Sequence, residues 1–233
     1  MISRRVVRVV IATISAVLLL GFGASSASAA TTFGADLTTL QVNTFSCDIA
    51  GGCTYSQGSP SYTSPASGVV VRWRTRGSSG PLTLRIITGN TGGVGSSTVS
   101  PPTNGVEAFA TRLPISAGDR IGVDLPPGFV SNVGVRTPAG HSVDGWFPAL
   151  AVGESRAPGP YSNYELLLNA DVELDADHDG YGDESQDLCP TSAATQGPCP
   201  TSPATVPRRK KCKKHKKRHA AAVAKKCKKK HRK

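Results

Sequence analysis

The chain has 233 residues and a formal net charge of +11, with 25 glycines, 17 prolines and six cysteines. That length accommodates one domain of about 150 residues together with shorter additional segments. The net charge averages unlike blocks, because every lysine lies at or after Lys210 while half of the 16 acidic residues fall between Asp171 and Asp187. The composition therefore excludes a uniformly basic protein, and residues 30–170 are close to neutral.

Residues 1–29 have the three parts of a secretory signal. Met1 to Arg8 is cationic, Val9 to Leu20 is an uninterrupted uncharged run, and Ala27-Ser28-Ala29 is a small-x-small cleavage site. The apolar run of about 12 residues is shorter than the roughly 20 that cross a bilayer, and no later stretch is apolar enough to do so. We therefore predict a mature chain that starts at Ala30, has no transmembrane segment, and is secreted or extracellular, either free or associated with the cell wall.

Six cysteines in an exported chain predict disulfide bonds. Proximity in sequence favours two short-range pairs, Cys47–Cys53 and Cys189–Cys199. Each pair closes a short loop, so we expect these bonds to brace local structure more than the whole fold.

Residues 30–174 have the texture of an all-β domain. Runs rich in Val, Ile and Thr alternate with clusters of Gly, Pro, Ser and Asn, and no stretch keeps a 3.6-residue apolar period over three turns. Short strands with frequent turns predict a β-sandwich of about eight or nine strands in a jelly-roll-like arrangement. The predicted strands are Gly68–Arg76, Leu82–Thr88, Val106–Leu113, Arg120–Leu125, Val130–Arg136 and Tyr164–Leu174.

Two of these regions carry more detailed expectations. In the first predicted strand, alternation places Val71, Trp73 and Thr75 on one face and three arginines on the other. Between the third and fourth strands, the Ala-Gly-Asp turn at residues 117–119 predicts a hairpin corner.

The acidic segment 175–187 carries the clearest chemical signal, with the sequence Asp-Ala-Asp-His-Asp-Gly-Tyr-Gly-Asp-Glu-Ser-Gln-Asp. Carboxylates at loop positions 1, 3 and 5 converge on one centre, the glycine at position 6 permits a sharp turn, and position 7 offers its backbone carbonyl. Ca²⁺ takes about six to eight oxygen ligands, so this order of residues predicts a calcium site. The predicted ligands are Asp175, Asp177, Asp179, Tyr181, Asp183 and Asp187.

The segment departs from an EF-hand, because position 12 is Gln186 rather than a bidentate glutamate and no flanking helices are evident. Asp187, Glu184 or the amide oxygen of Gln186 is expected to complete the ligand shell. Residues 175–190 instead resemble a thrombospondin type 3 repeat, whose pattern is Asp-x-Asp-x-Asp-Gly-x-Gly-Asp followed by Asp and Cys-Pro. One extra residue precedes the second part of the pattern here. The resemblance implies calcium bound without a helix pair and a cysteine that ties the loop down through a disulfide.

Acidic and basic side chains beside the predicted ligands have other expected roles. His178, at loop position 4, is expected to face outward. Asp171 and Glu173 precede the loop with strand alternation, and we expect them to be exposed acids of a strand rather than ligands.

The C-terminal part differs in composition from the β-domain. Residues 191–207 are rich in Pro, Thr and Ser and are predicted to be a linker that buries no core. Residues 208–233 contain 12 lysines, four arginines and no acid, a charge of +16, which predicts a disordered tail that binds an anionic wall polymer or another polyanion. The lysines assigned to this role are Lys210, Lys211, Lys213, Lys214, Lys225, Lys226, Lys228 and Lys229.

The tail also contains Cys212, His215, Cys227 and His231 in a Cys-x2-His and Cys-x3-His arrangement that is compatible with zinc. The surrounding positive charge opposes a dication, and an oxidising location favours disulfides instead. The two cysteines pair with each other if the tail folds back, and with another chain if it does not.

Catalytic motifs are missing from the sequence, since no nucleophile elbow, phosphate loop or HExxH occurs. His141-Ser-Val-Asp144 is expected to be a surface turn, Trp73 a core residue, and Trp146 a candidate exposed platform for stacking a sugar. We therefore predict a non-enzymatic calcium-binding surface protein whose β-sandwich is a binding or adhesion module for a glycan or a protein. The alternative is an extracellular carbohydrate-binding module or a glycan-active enzyme with its site on the sandwich.

Overall fold

The computed structural model describes residues 29–40, 43–102 and 104–201. These residues form 13 β-strands, more than the eight or nine predicted, and no helix, which confirms the predicted all-β, sandwich-like fold. The strands are β1 (Thr31–Gly34), β2 (Asn43–Ser46), β3 (Cys53–Ser59), β4 (Gly68–Arg76), β5 (Thr83–Thr88), β6 (Thr91–Gly95), β7 (Val106–Ile115), β8 (Arg120–Leu125), β9 (Asn132–Arg136), β10 (Ser142–Trp146), β11 (Gly159–Ser162), β12 (Glu165–Leu166) and β13 (Leu168–Glu173).

The strands form three antiparallel sheets. The four-stranded sheet has the order β1-β13-β4-β7, the six-stranded sheet β11-β10-β3-β8-β5-β6, and the three-stranded sheet β12-β9-β2. Strands that follow one another in the chain often lie in different sheets, since β4 lies in the four-stranded sheet whereas β3 before it and β5 after it lie in the six-stranded sheet. Crossovers of this kind are typical of sandwiches, in which successive strands contribute to one core from both sides.

One hydrophobic core joins the three sheets. Trp73 of β4, Val123 of β8 and Val135 of β9 belong to different sheets, and all three are fully buried in the same cluster. The ring of Trp73 lies 4.9 Å from that of Phe109 between centroids, which confirms its predicted core position. Each large apolar side chain buried in this way contributes roughly 1.5–3 kcal/mol, so the shared core holds the sheets together.

A β-bulge at Val71 changes the predicted alternation of β4. Successive residues of β13 pair with Val70 and Arg72, so Val71 is an extra residue on its strand. Val70 and Trp73 therefore both enter the core, whereas Val71 lies against Gly182 on the other side of the sheet. The prediction that Val71 and Trp73 share a face is wrong, because one extra residue reverses the alternation.

Two acidic residues of β13 are buried, contrary to the expectation of exposed strand acids. Asp171 is 2% exposed and Glu173 is 3% exposed. Alternation along β13 turns both side chains away from the core, onto the outer face of the four-stranded sheet. Asp171 accepts hydrogen bonds from Arg72, Arg74 and Thr32 at 2.6–2.9 Å on that face. Cross-strand partners of this kind are what makes a buried carboxylate tolerable.

The turn at residues 117–119 is present, but it does not form a hairpin. Gly118 has a φ of +90°, and the amide of Asp119 donates to the carbonyl of Ser116 at 3.0 Å. The strands on either side, β7 and β8, lie in the four-stranded and six-stranded sheets respectively. The turn therefore carries the chain from one sheet to another.

The described chain forms one unit up to Cys199, and a second unit begins at Pro200. Residues 175–190 therefore belong to the same unit as the sandwich, and so do residues 191–199 of the predicted linker. Residues 1–28 and 202–233 lie outside the described residues. They include the signal up to Ser28, the remaining linker, the tail cysteines and the predicted polyanion-binding lysines. Where the chain is described, it contains no helix long and apolar enough to cross a membrane.

Candidate metal centre

The loop that follows β13 brings three carboxylates together. Asp175, Asp177 and Asp179 each offer one oxygen, and these oxygens lie within 4.8 Å of one another. Alternate residues of a tightly curved loop point to its inner side, as the sequence pattern predicts. Carboxylates this close repel each other, so the arrangement is suited to holding a cation.

Backbone hydrogen bonds set the curvature of the loop. The carboxylate of Asp175 accepts the amides of Asp179 and Gly180, both at 3.0 Å, and the carboxylate of Asp179 accepts the amide of Tyr181 at 2.9 Å. Gly180 has a φ of +84°, a left-handed conformation in which glycine is unstrained. The predicted sharp turn at Gly180 is confirmed, and His178 is exposed as expected.

Two carboxylates hold buried oxygens that have no hydrogen-bond partner among the described residues. These are both Oδ atoms of Asp177 and the Oδ2 atom of Asp187. Asp187 is 2% exposed as a whole residue. An ionised carboxylate buried without compensation is strongly destabilising, and a cation bound among these oxygens removes that penalty.

Asp183 belongs to the same cluster of charges. Burial raises its pKa, the amide of Ala176 at 3.2 Å from both oxygens lowers it, and the neighbouring carboxylates of Asp175, Asp177 and Asp187 raise it again. The net result is a pKa raised above the ordinary value for aspartate. Four of the predicted aspartate ligands, Asp175, Asp177, Asp183 and Asp187, therefore interact electrostatically.

Contacts distinguish the three groups that were expected to complete the ligand shell. Gln186 donates its side-chain amide to the carbonyl of Thr111 in β7 at 2.8 Å. Glu184 accepts from the backbone nitrogen of Ala30 at 2.5 Å. Asp187 keeps its buried Oδ2 without a partner in the described part of the chain. The geometry therefore favours Asp187 as the group that completes the shell.

The loop is packed onto the outer face of the four-stranded sheet. The buried Oε2 of Glu173 accepts the amides of Glu184 and Ser185 at 3.1 and 2.9 Å. Gly182 lies so close to Glu173 and Val71 that an added Cβ would overlap both side chains. Glu173 therefore anchors the loop to the sheet, which explains its burial, and glycine is required where the two meet.

Both predicted disulfides are formed. Cys47 and Cys53 have a Cα separation of 5.8 Å, and Cys189 and Cys199 one of 4.7 Å. The first braces the connection between β2 and β3. The second closes the segment directly after the acidic loop, so it holds both ends of residues 189–199 at the candidate centre.

Gln196, which no sequence motif indicates, reaches the centre from that closed segment. Its Nε2 donates to Oδ2 of Asp179 at 2.7 Å, and its carbonyl accepts the amide of Leu188 at 2.9 Å. Groups that orient a metal ligand tune the affinity of a site as strongly as some ligands do. Its position between two paired cysteines is the one sequence feature that could have drawn attention to it.

Trp146 is not an exposed platform, so that prediction is wrong. The residue is 1% exposed, and it packs with Ile87 and Leu150 in a small cluster of their own. Its Nε1 donates to the carbonyl of Arg156 at 2.7 Å. Burial satisfies both parts of the side chain, since the ring leaves water while its single polar group keeps a partner.

The His141-Ser-Val-Asp144 segment is not a surface turn, because Ser142 begins β10. Asp144 pairs with Arg120 at 2.7 Å, and Nδ1 of His141 lies 3.8 Å from Oε2 of the buried Glu165. Asp144 is therefore engaged by Arg120, whereas Nδ1 of His141 lies near Glu165 and has no hydrogen-bond partner among the described residues. The segment therefore does not assemble the nucleophile, base and orienting acid of a hydrolytic triad.

A surface cleft of about 630 Å³ lies beside β1 on the outer face of the four-stranded sheet. None of the described residues that line it is aromatic. Its polar groups are engaged within the protein, since Arg76 and Asn169 donate to the carbonyls of Leu37 and Ala35 at 2.7 and 3.1 Å. The cleft therefore offers no stacking surface for a sugar ring.

Comparisons of the chain with protein-family models, with curated proteins and with solved structures each find no match. The resemblance of residues 175–190 to a thrombospondin type 3 repeat therefore depends on the motif itself. The structure establishes an oxygen-rich group of aspartates that could hold a metal ion, built on an all-β unit.

Proposed function

We propose that the protein is an exported, calcium-binding β-sandwich protein that its basic C-terminal segment attaches to anionic polymers of the cell envelope. One observation carries the calcium part of the proposal. Asp177 buries both carboxylate oxygens without a hydrogen-bond partner among the described residues, at the point where Asp175 and Asp179 converge. A buried carboxylate without hydrogen-bond partners is one that a bound cation would stabilise.

The chemistry of the donors supports calcium over other divalent ions. All six predicted ligand groups are oxygen donors, five from aspartates and one from the backbone of Tyr181. Hard oxygen ligands select Ca²⁺, Mg²⁺ or Mn²⁺ rather than zinc or copper, and Mg²⁺ usually retains several waters instead of using a cage of protein ligands. A carboxylate-rich loop of this size suits the larger ion.

The attachment of the loop indicates a structural role for the ion rather than a sensory one. Glu173, Gly182 and Gln186 tie the loop to the sandwich, and the described residues contain no helix pair that ion binding could open. Bound calcium would therefore stabilise the end of β13 and the disulfide-closed segment after it.

Export and attachment are supported by features at the two ends of the chain. The N-terminal signal pattern and the two disulfides both fit an oxidising, extracytoplasmic location. The charge of +16 in residues 208–233 suits binding to an anionic polymer. In this proposal the sandwich is the module that the protein displays outside the cell for binding or adhesion.

Calorimetric titration of the mature chain, residues 30–233, tests the calcium site. We expect one Ca²⁺ to bind, with weaker binding of Mg²⁺, and Asp177→Asn to abolish the heat of binding. At a free Ca²⁺ concentration of about 100 Kd, mass action stabilises the fold by about 2.7 kcal/mol. The melting temperature should therefore rise by roughly 5–10 °C.

Asp36→Asn is the matched control, because Asp36 is an exposed aspartate that accepts a backbone amide in a turn but lies outside the loop. It should leave both the heat and the melting shift unchanged. A wild-type chain that shows neither heat nor a melting shift with Ca²⁺ contradicts the proposed function.

A further inference from the structure

The start of the sandwich is in contact with the acidic loop. The backbone nitrogen of Ala30 lies 2.5 Å from Oε2 of Glu184, although the two residues are 154 positions apart. Ala30 directly precedes β1, whose first residue, Thr31, pairs with Val172 of β13. Glu184 is itself held by Glu173, which accepts its backbone amide at 3.1 Å. The contact therefore links the first strand, the sheet and the loop.

The nitrogen in this contact is the atom that signal removal changes. The small-x-small motif ends at Ala29, so cleavage there makes Ala30 the first residue. Hydrolysis of the Ala29–Ala30 peptide bond by a signal peptidase consumes one water and leaves a carboxylate on Ala29 and an ammonium group on Ala30. The nitrogen then has three N–H donors and a positive charge near neutral pH, in place of one N–H and no charge.

The surroundings of Ala30 favour a cation. Ala30 lines a cavity of about 310 Å³ together with Asp171, Glu173 and Arg72, and the guanidinium of Arg72 is already paired with Asp171. Asp171 is paired with two arginines, but Glu173 is held by backbone amides, which carry no net charge. An ammonium group at Ala30 would face Glu184 directly and add positive charge among these carboxylates. Ion pairs with a carboxylate are stronger than the corresponding bond from a neutral amide.

We propose that Glu184 binds the α-ammonium group of Ala30 created by cleavage after Ala29, so that removal of the export signal completes the docking of β1 against the acidic loop. The proposal rests on the export proposed above, because the ammonium group exists only after cleavage. It does not require calcium. Among the described strands, β1 is at the edge of its sheet and has one neighbour, so an ion pair at its first residue limits fraying of the new terminus.

A double-mutant cycle on the full mature chain tests the pairing. Four chains are compared, which start at Ala30 or retain Ser28-Ala29, each with Glu184 or with Glu184→Gln. Thermal unfolding is measured with a chelator present, so that the result is independent of calcium. We expect Glu184→Gln to lower the melting temperature by roughly 1–3 °C in the chain that starts at Ala30. In the longer chain, where the charge is displaced by two residues, the loss should be less than half as large.

Asp48→Asn removes one exposed acid from the connection between β2 and β3 and is the matched control for loss of a negative charge. Its effect should be equal in the two chain lengths. Equal effects of Glu184→Gln in both lengths would overturn the proposal.

A second measurement leaves Glu184 unaltered, in case its replacement impairs folding. Amide hydrogen exchange at Thr32 and Phe33 should be slower in the chain that starts at Ala30 than in the chain that retains Ser28-Ala29. Identical exchange overturns the proposal. N-terminal sequencing of the exported protein should give Ala30 first. Any other first residue overturns the proposal as well. That result would not bear on the calcium site, which the calorimetric titration tests separately.

Discussion

Asp171 shows how a single buried charge is accommodated on the outer face of the four-stranded sheet. Burial raises the pKa of this carboxyl, but hydrogen bonds from Arg74, Thr32 and Arg72 outweigh burial and hold the pKa below its usual range. The Asp171 side chain is 3% exposed, whereas that of Arg72 is 53% exposed. The carboxylate is thus fully enclosed while one of its partners remains in water.

We predict that Asp171→Asn lowers the free energy of unfolding at pH 7 by about 3 kcal/mol, as expected when one member of a buried ion pair is removed. Because the pKa in the folded state is depressed, this stabilisation is present above the ordinary aspartate pKa of about 3.9. It is lost as the pH falls through the folded-state pKa. Urea unfolding between pH 7 and 2 should show the difference between wild type and variant narrowing below about pH 4, and a difference independent of pH contradicts the prediction.

Gln196 is a second single residue whose effect depends on one contact, its hydrogen bond to Asp179. We predict that Gln196→Ala weakens Ca²⁺ binding about 10-fold, because Asp179 loses the group that orients it. Thr191→Ala, an exposed change in the same disulfide-closed segment, should leave the affinity unchanged. Calorimetric titration of both variants checks this, and equal affinities for the two would refute a role for Gln196.

At the scale of elements, the strands divide by whether their own residues favour extended structure. β4 and β8 match the predicted bounds, since both are rich in β-branched residues and flanked by turns. Strands such as β3 and β6 were not predicted. In β3, the hydroxyls of Thr54 and Ser56 are fully buried because Asp124 and the carbonyl of Ile121 accept their hydrogen bonds. A polar strand of this kind is stable only beside its neighbours.

The two disulfides each close a short loop, with sequence separations of 6 and 10 residues, but they have different predicted roles. Replacing Cys189 and Cys199 by serine should lower the unfolding free energy by about 2–3 kcal/mol through loop entropy. It should also weaken Ca²⁺ binding, because the closed segment carries Gln196 and begins next to Asp187. Replacing Cys47 and Cys53 by serine should destabilise the fold comparably and leave Ca²⁺ affinity unchanged. Calorimetry combined with urea unfolding checks the contrast, which fails if both double replacements weaken the metal site equally.

At the scale of the whole molecule, charge is divided into blocks along the chain. Residues 30–170 are nearly neutral, half of all acids fall within 171–187, and residues 208–233 carry +16. A cation bound in the acidic block would reduce the repulsion among its carboxylates. The basic block, in contrast, has no acid of its own in the sequence, which is why we propose an external polyanion as its partner.

We predict that the mature chain binds a purified anionic wall polymer and that its affinity falls steeply between about 50 and 200 mM salt, because binding releases counterions. Removal of residues 208–233 should abolish this binding and leave Ca²⁺ affinity unchanged. Co-sedimentation over a salt series checks both outcomes. Binding that survives removal of the tail refutes the proposed attachment.

Sequence alone determined the all-β class, the two disulfide pairs and the group of three aspartates, because each depends on residues within about a dozen positions of one another. Tertiary structure decided the bulge at Val71, the burial of Asp171 and Trp146, and the choice of Asp187 over Gln186 as the group favoured to complete the shell. The hydrogen bonds of Asp171, for example, come from residues 97–139 positions away. Burial and pairing of polar groups depend on such distant partners, and local sequence patterns carry no information about them.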